Sequence, residues 1–143
     1  MPSIILRIAA RTLTPTLFVA ALILLFRGHN APGGGFIGGL LAAAAVTLYA
    51  MANGPSSARQ LIRVTPRTLM AIGLGIAFLS GVPSLFLELP YMSGQWVTLR
   101  LPFVDALPIG TALVFDIGIF IAVIGFVLTI FFALTEAEEE EVR

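Results

Sequence analysis

The sequence predicts an all-α integral membrane protein with four transmembrane helices and a short extended segment in the outer loop. Two observations lead to this fold class. Of the 143 residues, 58% are hydrophobic and only 11% are charged, whereas roughly 25% of the residues of a soluble domain are charged. Four apolar runs also approach the roughly 20 residues that a helix needs to cross about 30 Å of hydrocarbon. Lipid is therefore expected to be the main solvent of this chain.

The four predicted spans lie within a membrane domain of residues 1–135. The first run ends at Arg27 and has no small-residue cleavage site, so we predict a retained helix and not a signal peptide. Pro83 is expected to kink or end the third span, and Pro108 suits the first turn of the fourth. Residues 136–143 are predicted to form an acidic, solvated cytoplasmic tail. The spans cover about residues 8–27, 35–52, 69–87 and 108–134.

The distribution of arginines predicts the orientation. With four spans, six arginines fall on one side of the membrane, and Arg27 and Arg100 fall on the other. By the positive-inside rule, both termini are expected in the cytoplasm. Three or five spans stay open as alternatives, if the second run is re-entrant or the segment after Glu88 dips into the membrane. The six arginines are Arg7, Arg11, Arg59, Arg63, Arg67 and Arg143.

Residues 96–101 read Trp-Val-Thr-Leu-Arg-Leu, and their side chains alternate between two faces. This is the period of a half-buried strand, and Gly94 and Pro102 bound the segment. We therefore expect a short extended segment at the outer membrane surface, between the third and fourth spans.

Small residues recur four positions apart on three of the spans. Such stripes allow helix backbones to approach closely, which is a main source of helix association in lipid. Because four helices enclose little interior, the stripes are expected to serve packing against partner subunits as well as internal packing. They comprise Gly35, Gly39, Ala43 and Thr47 on the second span, Gly73, Ala77 and Gly81 on the third, and Gly118 and Ala122 on the fourth.

A glycine- and proline-rich segment, residues 27–40, joins the first two spans and holds the only histidine of the chain. Glycine reaches positive φ at no steric cost and proline fixes its own φ, so this segment is predicted to turn tightly and then enter a helix. Another helix, a water molecule or an ion could approach its N–H groups. The plain alternative is a helix connector whose glycines only permit close packing.

Within that segment, the stretch Gly-His-Asn-Ala-Pro-Gly-Gly-Gly-Phe-Ile-Gly-Gly-Leu resembles the signature of the MnhB (MrpB) family, whose members are subunits of Mrp-type (Mnh-type) multisubunit Na+/H+ antiporters. The chain length, the four apolar runs and a late aspartate in residues 114–118 fit the same family, so the resemblance covers nearly the whole chain. The motif residues that match are His29, Pro32, Gly33, Gly34, Gly35, Phe36, Gly38 and Gly39.

The resemblance implies a multi-pass subunit of the bacterial cytoplasmic (inner) membrane. It implies assembly with other hydrophobic subunits into a complex that exchanges cytoplasmic Na+ for external H+. In such a complex the chain would contribute helix packing and polar lining near an ion route. Two alternatives stay open: a purely architectural subunit with no ion path of its own, and the equivalent subunit of a membrane-bound hydrogenase-type complex. A small self-sufficient transporter is disfavoured, because the first span carries no carboxylate between Leu13 and Phe26.

Asp116 is the foremost candidate for an ion path. It lies inside an apolar stretch of the fourth span, and a carboxylate near the bilayer centre costs from about 2.5 kcal/mol upward, so such groups usually face a partner or water and often mark ion paths. Counted from Pro108, it is expected about 12 Å along the helix, in the outer half of the membrane. The alternative roles are a helix–helix hydrogen bond or an ion pair with Arg100 or with a base of a neighbouring subunit.

Three further residues are weaker candidates. His29 could relay protons, since imidazole titrates near neutral pH, although a lone loop histidine is more often a hydrogen-bonded turn residue. Glu88 lies near the outer end of a helix, where it either is solvated or stands at an ion entrance. Phe36 is expected to wedge between helices, or alternatively to contact a partner subunit.

Several function classes are excluded or disfavoured by the composition. The absence of cysteine excludes disulfides and thiolate metal sites, and no paired histidines suggest a metal or cofactor site. A net charge of zero and the lack of a basic patch make nucleic acid an unexpected partner. No nucleophile and base occur in a supporting motif. We therefore expect no catalytic residue, no cofactor and no enzymatic activity in this chain.

Overall fold

The computed structural model describes residues 4–28, 34–94, 96–101 and 104–141. Most of these residues are helical, and one antiparallel two-stranded sheet lies before the last helix. In chain order the elements are α1 (Ile4–Arg27), α2 (Gly34–Asn53), α3 (Pro55–Ile62), α4 (Pro66–Leu79), α5 (Val82–Phe86), β1 (Trp96–Leu101), β2 (Val104–Gly110) and α6 (Thr111–Glu141).

Four segments of the described chain are long and apolar enough to cross a membrane, which confirms the predicted fold class. Three of them are single helices, namely α1, α2 and most of α6. The other, Pro55–Phe86, combines α3, α4 and α5. Because α4 has 14 residues, it is only about 21 Å long, and it needs α5 to complete a crossing of about 30 Å.

The four crossing segments form a row in the order α1, α2, α6, α4. Helix α1 packs along α2, α2 packs along α6, and α6 packs along α4, whereas α1 barely touches α6. A row encloses less interior than a closed bundle. Half of the residues in its two small buried clusters are alanine: Ala21, Leu25, Ala42 and Phe120 form one cluster, and Ala50, Ala58, Leu128 and Phe132 form the other.

Glycine-to-backbone contacts hold α4 against α6. A Cβ atom placed on Gly73 would lie 2.6 Å from the carbonyl oxygen of Gly118, and one placed on Gly118 would lie 2.5 Å from the backbone nitrogen of Ala77. Both distances are far below van der Waals contact, so only glycine permits this approach. The predicted stripes on the third and fourth spans are thus used for packing inside the chain.

The extended segment expected at residues 96–101 is β1, and it pairs with a second strand that the sequence pattern did not predict. Strand β2 occupies residues that include Pro108, which pairs with Thr98. Both strands of a two-stranded sheet are edges, where proline is tolerated because its missing N–H need not face a partner. Consequently α6 begins at Thr111 and not at Pro108, so every residue of the fourth span lies closer to the start of its helix than predicted.

The third span is interrupted between α4 and α5, close to the proline that predicted a kink. Pro83 lies in the first turn of α5, and hydroxyl groups bond the carbonyls around the interruption. The Ser80 hydroxyl donates to the carbonyl of Ala77 at 2.6 Å, and the Tyr91 hydroxyl donates to the carbonyl of Phe78 at 2.7 Å. Backbone carbonyls at membrane depth must find such partners within the protein.

The acidic tail continues the last helix. Helix α6 extends to Glu141, and Glu136 forms an ion pair with Arg59 of α3. The Arg59 guanidinium also lies 4.7 Å from the ring centroid of Phe132. Both charged side chains are at least half exposed, so the ion pair is worth only about 0–1 kcal/mol. It links α3 to the C-terminal part of α6.

Candidate functional site

The glycine-rich segment brings the end of α1 and the start of α2 into close contact. A Cβ atom on Gly28 would meet the backbone nitrogen of Gly34 at 2.7 Å, and one on Gly34 would lie 2.8 Å from the carbonyl oxygen of Leu24. The two helices therefore touch through their backbones where the chain reverses. His29, Pro32 and Gly33 lie outside the described residues, and their predicted roles stay predictions.

The next residue of α2, Gly35, contacts Asp116, which was predicted to lie on an ion path. Gly35 packs against the backbone of Asp116 so closely that a Cβ atom would contact its carbonyl oxygen, and it would lie 2.9 Å from its Cα atom. The structure thus brings together two features that are 81 positions apart in the chain. We define the α2–α6 contact at Gly35 and Asp116 as the candidate site.

Asp116 is half-buried in the first two turns of α6. Since α6 begins at Thr111, Asp116 lies about 7.5 Å along the helix and not the 12 Å expected from Pro108. Asp116 is therefore nearer to the start of its helix than predicted. A carboxylate at this position can accept hydrogen bonds, bind a cation or exchange a proton.

The remaining glycines of the segment divide their contacts between two neighbouring helices. A Cβ atom on Gly38 would lie 2.8 Å from the carbonyl oxygen of Ala21 in α1, and one on Gly39 would lie 2.9 Å from the carbonyl oxygen of Phe120 in α6. The stripe that faces α6 was predicted from the sequence, but a second stripe, at Gly34 and Gly38, faces α1 and was missed. The sequence contains the signal for both stripes, because Gly34 and Gly38, like Gly35 and Gly39, are four residues apart.

Two other predicted residues lie away from this contact. Phe36 is 52% exposed, so it does not wedge between helices of this chain, and contact with a partner or with lipid is the interpretation that fits. Glu88 follows α5 in an exposed turn with φ of 55°. The helix that precedes it, α5, contacts α4, whereas Gly35 and Asp116 meet between α2 and α6.

The described residues contain no group of three or more histidine, cysteine, aspartate or glutamate side chains that could hold a metal ion. The polar chemistry of the candidate site therefore rests on Asp116 and on the backbone around it. Four segments able to cross a membrane define the class of this protein as a multi-pass membrane protein. A carboxylate within such a segment often marks an ion path.

The family follows from comparison with known proteins. A family model described as "Domain related to MnhB subunit of Na+/H+ antiporter" matches residues 5–129. The chain belongs to this MnhB family.

Named relatives and a solved structure agree with that assignment. The B-type subunit of the Na(+)/H(+) antiporter of Bacillus subtilis (strain 168) is 34% identical, over 87% of this chain and 92% of its own. A probable K(+)/H(+) antiporter A/B-type subunit of Rhizobium meliloti (strain 1021) is 33% identical over 94% of this chain, which spans only 13% of that protein. A chain in the structure of the Mrp complex from Dietzia sp. DQ12-45-1b matches 87% of this chain with a TM-score of 0.72 and 32% identity, over 13% of its own length.

Proposed function

We propose that this chain is the MnhB-type subunit of a multisubunit antiporter that exchanges cytoplasmic Na+ for external H+. The observation that carries the proposal is the likeness to the Bacillus subtilis antiporter protein over nearly the full length of both chains. The named relatives favour an antiporter over the hydrogenase-type alternative. In this role the chain itself performs no covalent chemistry.

The fold supports a role inside a larger assembly. A row of four helices has two open edges, α1 and α4, and large apolar side chains such as Phe78 and Ile23 are more than 60% exposed there. The Rhizobium relative carries the equivalent segment within a much longer chain, whose name joins an A and a B component. We infer that a larger hydrophobic subunit covers one of these edges.

Within that assembly we assign different roles to the two halves of the candidate site. Gly34 and Gly35 serve packing, because their contacts are with backbone atoms of α1 and α6. Asp116 provides polar lining near the ion route. Glu88 and His29 remain candidates for an ion entrance and a proton relay. A purely architectural subunit is the competing interpretation, and a loss of exchange on neutralising Asp116 would exclude it.

Affinity purification tests the assembly directly. A tag on the C-terminus of this chain, in native membranes solubilised in mild detergent, is expected to recover several hydrophobic subunits in fixed ratio. The physical reason is that a row of four crossing segments encloses little interior and leaves α1 and α4 open to packing against other helices. Mass spectrometry of the eluate, with untagged membranes as the control, provides the measurement. Recovery of the chain alone, as a monomer or homodimer, would contradict the proposal.

We further propose that both termini lie in the cytoplasm. Helices α1 and α2 run antiparallel, so the first residue of α1 and the last residue of α2 lie on the same side of the membrane. Because α3 directly follows α2, Arg59 of α3 lies on the same side as Arg7 and Arg11 of α1. Positive residues near span ends favour the cytoplasmic side.

Single cysteines test this orientation, since the chain has none of its own. Leu89→Cys, after α5, is expected to react with a membrane-impermeant maleimide in intact spheroplasts. Ser56→Cys, on the exposed side of α3, is expected to react only after permeabilisation. The reverse pattern would place the termini outside.

A further inference from the structure

A lateral groove lies between α1 and α6, near the N-terminal end of α1. Helix α2 forms its floor, and the last residues of α3, Leu61 and Ile62, close it at that end. The groove exists because α1 packs along α2 but barely touches α6. Its volume is about 580 Å³, which is within the range of about 300–1,000 Å³ typical of small-molecule sites.

The groove is lined almost wholly by apolar atoms, and its one charged lining residue, Arg11, stands at the end that α3 closes. The Thr14 hydroxyl donates to the carbonyl of Ala45 at 3.4 Å, which sets the alignment of α1 on α2. From that point Arg11 and Tyr49 lie toward the end capped by α3, whereas Phe18 and Ile124 lie toward the middle of the membrane. An occupant that matches both ends is therefore amphipathic, with a polar head beside Arg11 and an apolar part beside Phe18.

Arg11 stands at the depth where a lipid phosphate can be reached. Helix α1 has 24 residues and is about 36 Å long, and Arg11 lies about 10.5 Å from its first residue. With about 30 Å of hydrocarbon, its Cα atom lies below the interface, and its long side chain extends toward the headgroups. Among the described residues the ion pair found is Arg59 with Glu136, so no carboxylate of that part of the chain neutralises Arg11.

The charge of Arg11 distinguishes an anionic lipid from an apolar partner helix as the occupant of the groove. The lining of α1 extends from Ala10 to Phe18, which is about 12 Å along the helix. An acyl chain can lie along that length, whereas an apolar helix would leave the Arg11 charge without a counter-ion.

We propose that the groove is a binding site for an anionic phospholipid. One acyl chain lies along α2 toward Phe18, and the headgroup phosphate accepts hydrogen bonds from the Arg11 guanidinium. Arg7, one turn earlier on α1, adds positive charge at the same end. Basic pockets between transmembrane helices on the cytoplasmic side favour such headgroups. The site concerns the lipid neighbour of this chain, and it does not depend on which ions the complex exchanges.

Quenching by brominated lipids tests the site in the complex that purifies with this chain. A bimane label on Phe18→Cys reports the groove, and a label on Leu74→Cys reports the exposed outer face of α4. The complex is reconstituted with equal mole fractions of acyl-brominated phosphatidylglycerol or acyl-brominated phosphatidylcholine. Signal from the complex with the cysteine-free chain is subtracted.

We expect the anionic lipid to quench the groove label at least threefold more efficiently than the zwitterionic lipid, with no such difference at Leu74. Arg11→Gln is expected to abolish the preference, and Arg11→Lys to keep it. Arg27→Gln, at the other end of the same helix, is the matched control and is expected to leave it unchanged. Equal quenching by both lipids in the unmodified site would overturn the headgroup assignment. A groove label that neither lipid quenches would overturn the lipid site and show that a partner subunit fills the groove.

Discussion

Gly73→Ala is expected to destabilise the chain by about 1–3 kcal/mol, the usual cost of forcing extra atoms into a packed interior. The added methyl group would meet the backbone of α6 at the carbonyl of Gly118, 2.6 Å away, and at the Cα atom of Ala122, 2.7 Å away. Backbone atoms cannot rotate aside as a flexible side chain can. The two helices would therefore have to separate along their whole contact.

The same helix supplies a matched control for this prediction. Gly75 lies two residues further on, and a Cβ atom there has no neighbour within 4 Å among the described residues. Gly75→Ala removes a glycine from the same helix without a clash, and alanine favours helix by up to about 1 kcal/mol. Reversible unfolding of the full chain in mixed detergent micelles measures both variants. Equal stability of the two variants would contradict the close approach of α4 to α6.

Asp116→Asn is expected to lower cation/proton exchange at least tenfold while the complex still assembles. Asparagine keeps the size and the hydrogen-bonding ability of aspartate, but it cannot ionise or carry a proton. The backbone contact of residue 116 with Gly35 is unaffected by this change, so packing between α2 and α6 is preserved. Exchange driven by a pH gradient in everted membrane vesicles gives the measurement, with Na+ and K+ assayed separately because relatives are named for each ion.

Two further variants separate a transport role of Asp116 from a general loss of charge. Asp116→Glu restores a carboxylate on a longer side chain and is expected to recover part of the activity. Glu140→Gln removes one carboxylate from the exposed end of α6 and is expected to exchange at the normal rate. If Asp116→Asn also exchanges normally, Asp116 serves helix packing and the architectural interpretation gains support.

Much of the fold could be predicted because its signals are local. The number of consecutive apolar residues indicates each crossing segment, and the alternation at 96–101 predicted β1. The second strand gave a conflicting signal, since Pro108 is as suitable for a helix start as for a sheet edge. The predicted distance of Asp116 along its helix was too long for the same reason, because that distance is counted from the first residue of the helix.

Glycine spacing predicted helix contacts but not which contacts. Gly73 and Gly75 are two residues apart on α4, yet one is pressed against α6 and the other faces open space. From spacing alone, the stripes were expected to serve both internal packing and packing against partner subunits. In the structure, Gly73 and Gly118 contact each other inside the chain. The contact that a glycine makes depends on which helix packs beside it, and that helix can be far away in the chain.

The sequence by itself determined that this protein resides in a membrane, that four is the favoured number of spans, and where the carboxylate of the last span lies along the chain. These properties depend on hydrophobicity and helix length, which are determined by residues that are close together in the sequence. Only the tertiary structure decided that the helices stand in the row α1, α2, α6, α4, that Gly35 touches Asp116, and that a groove opens beside Arg11. In lipid no hydrophobic effect orders one helix beside another, so these arrangements follow from the close fit of surfaces that are distant in sequence.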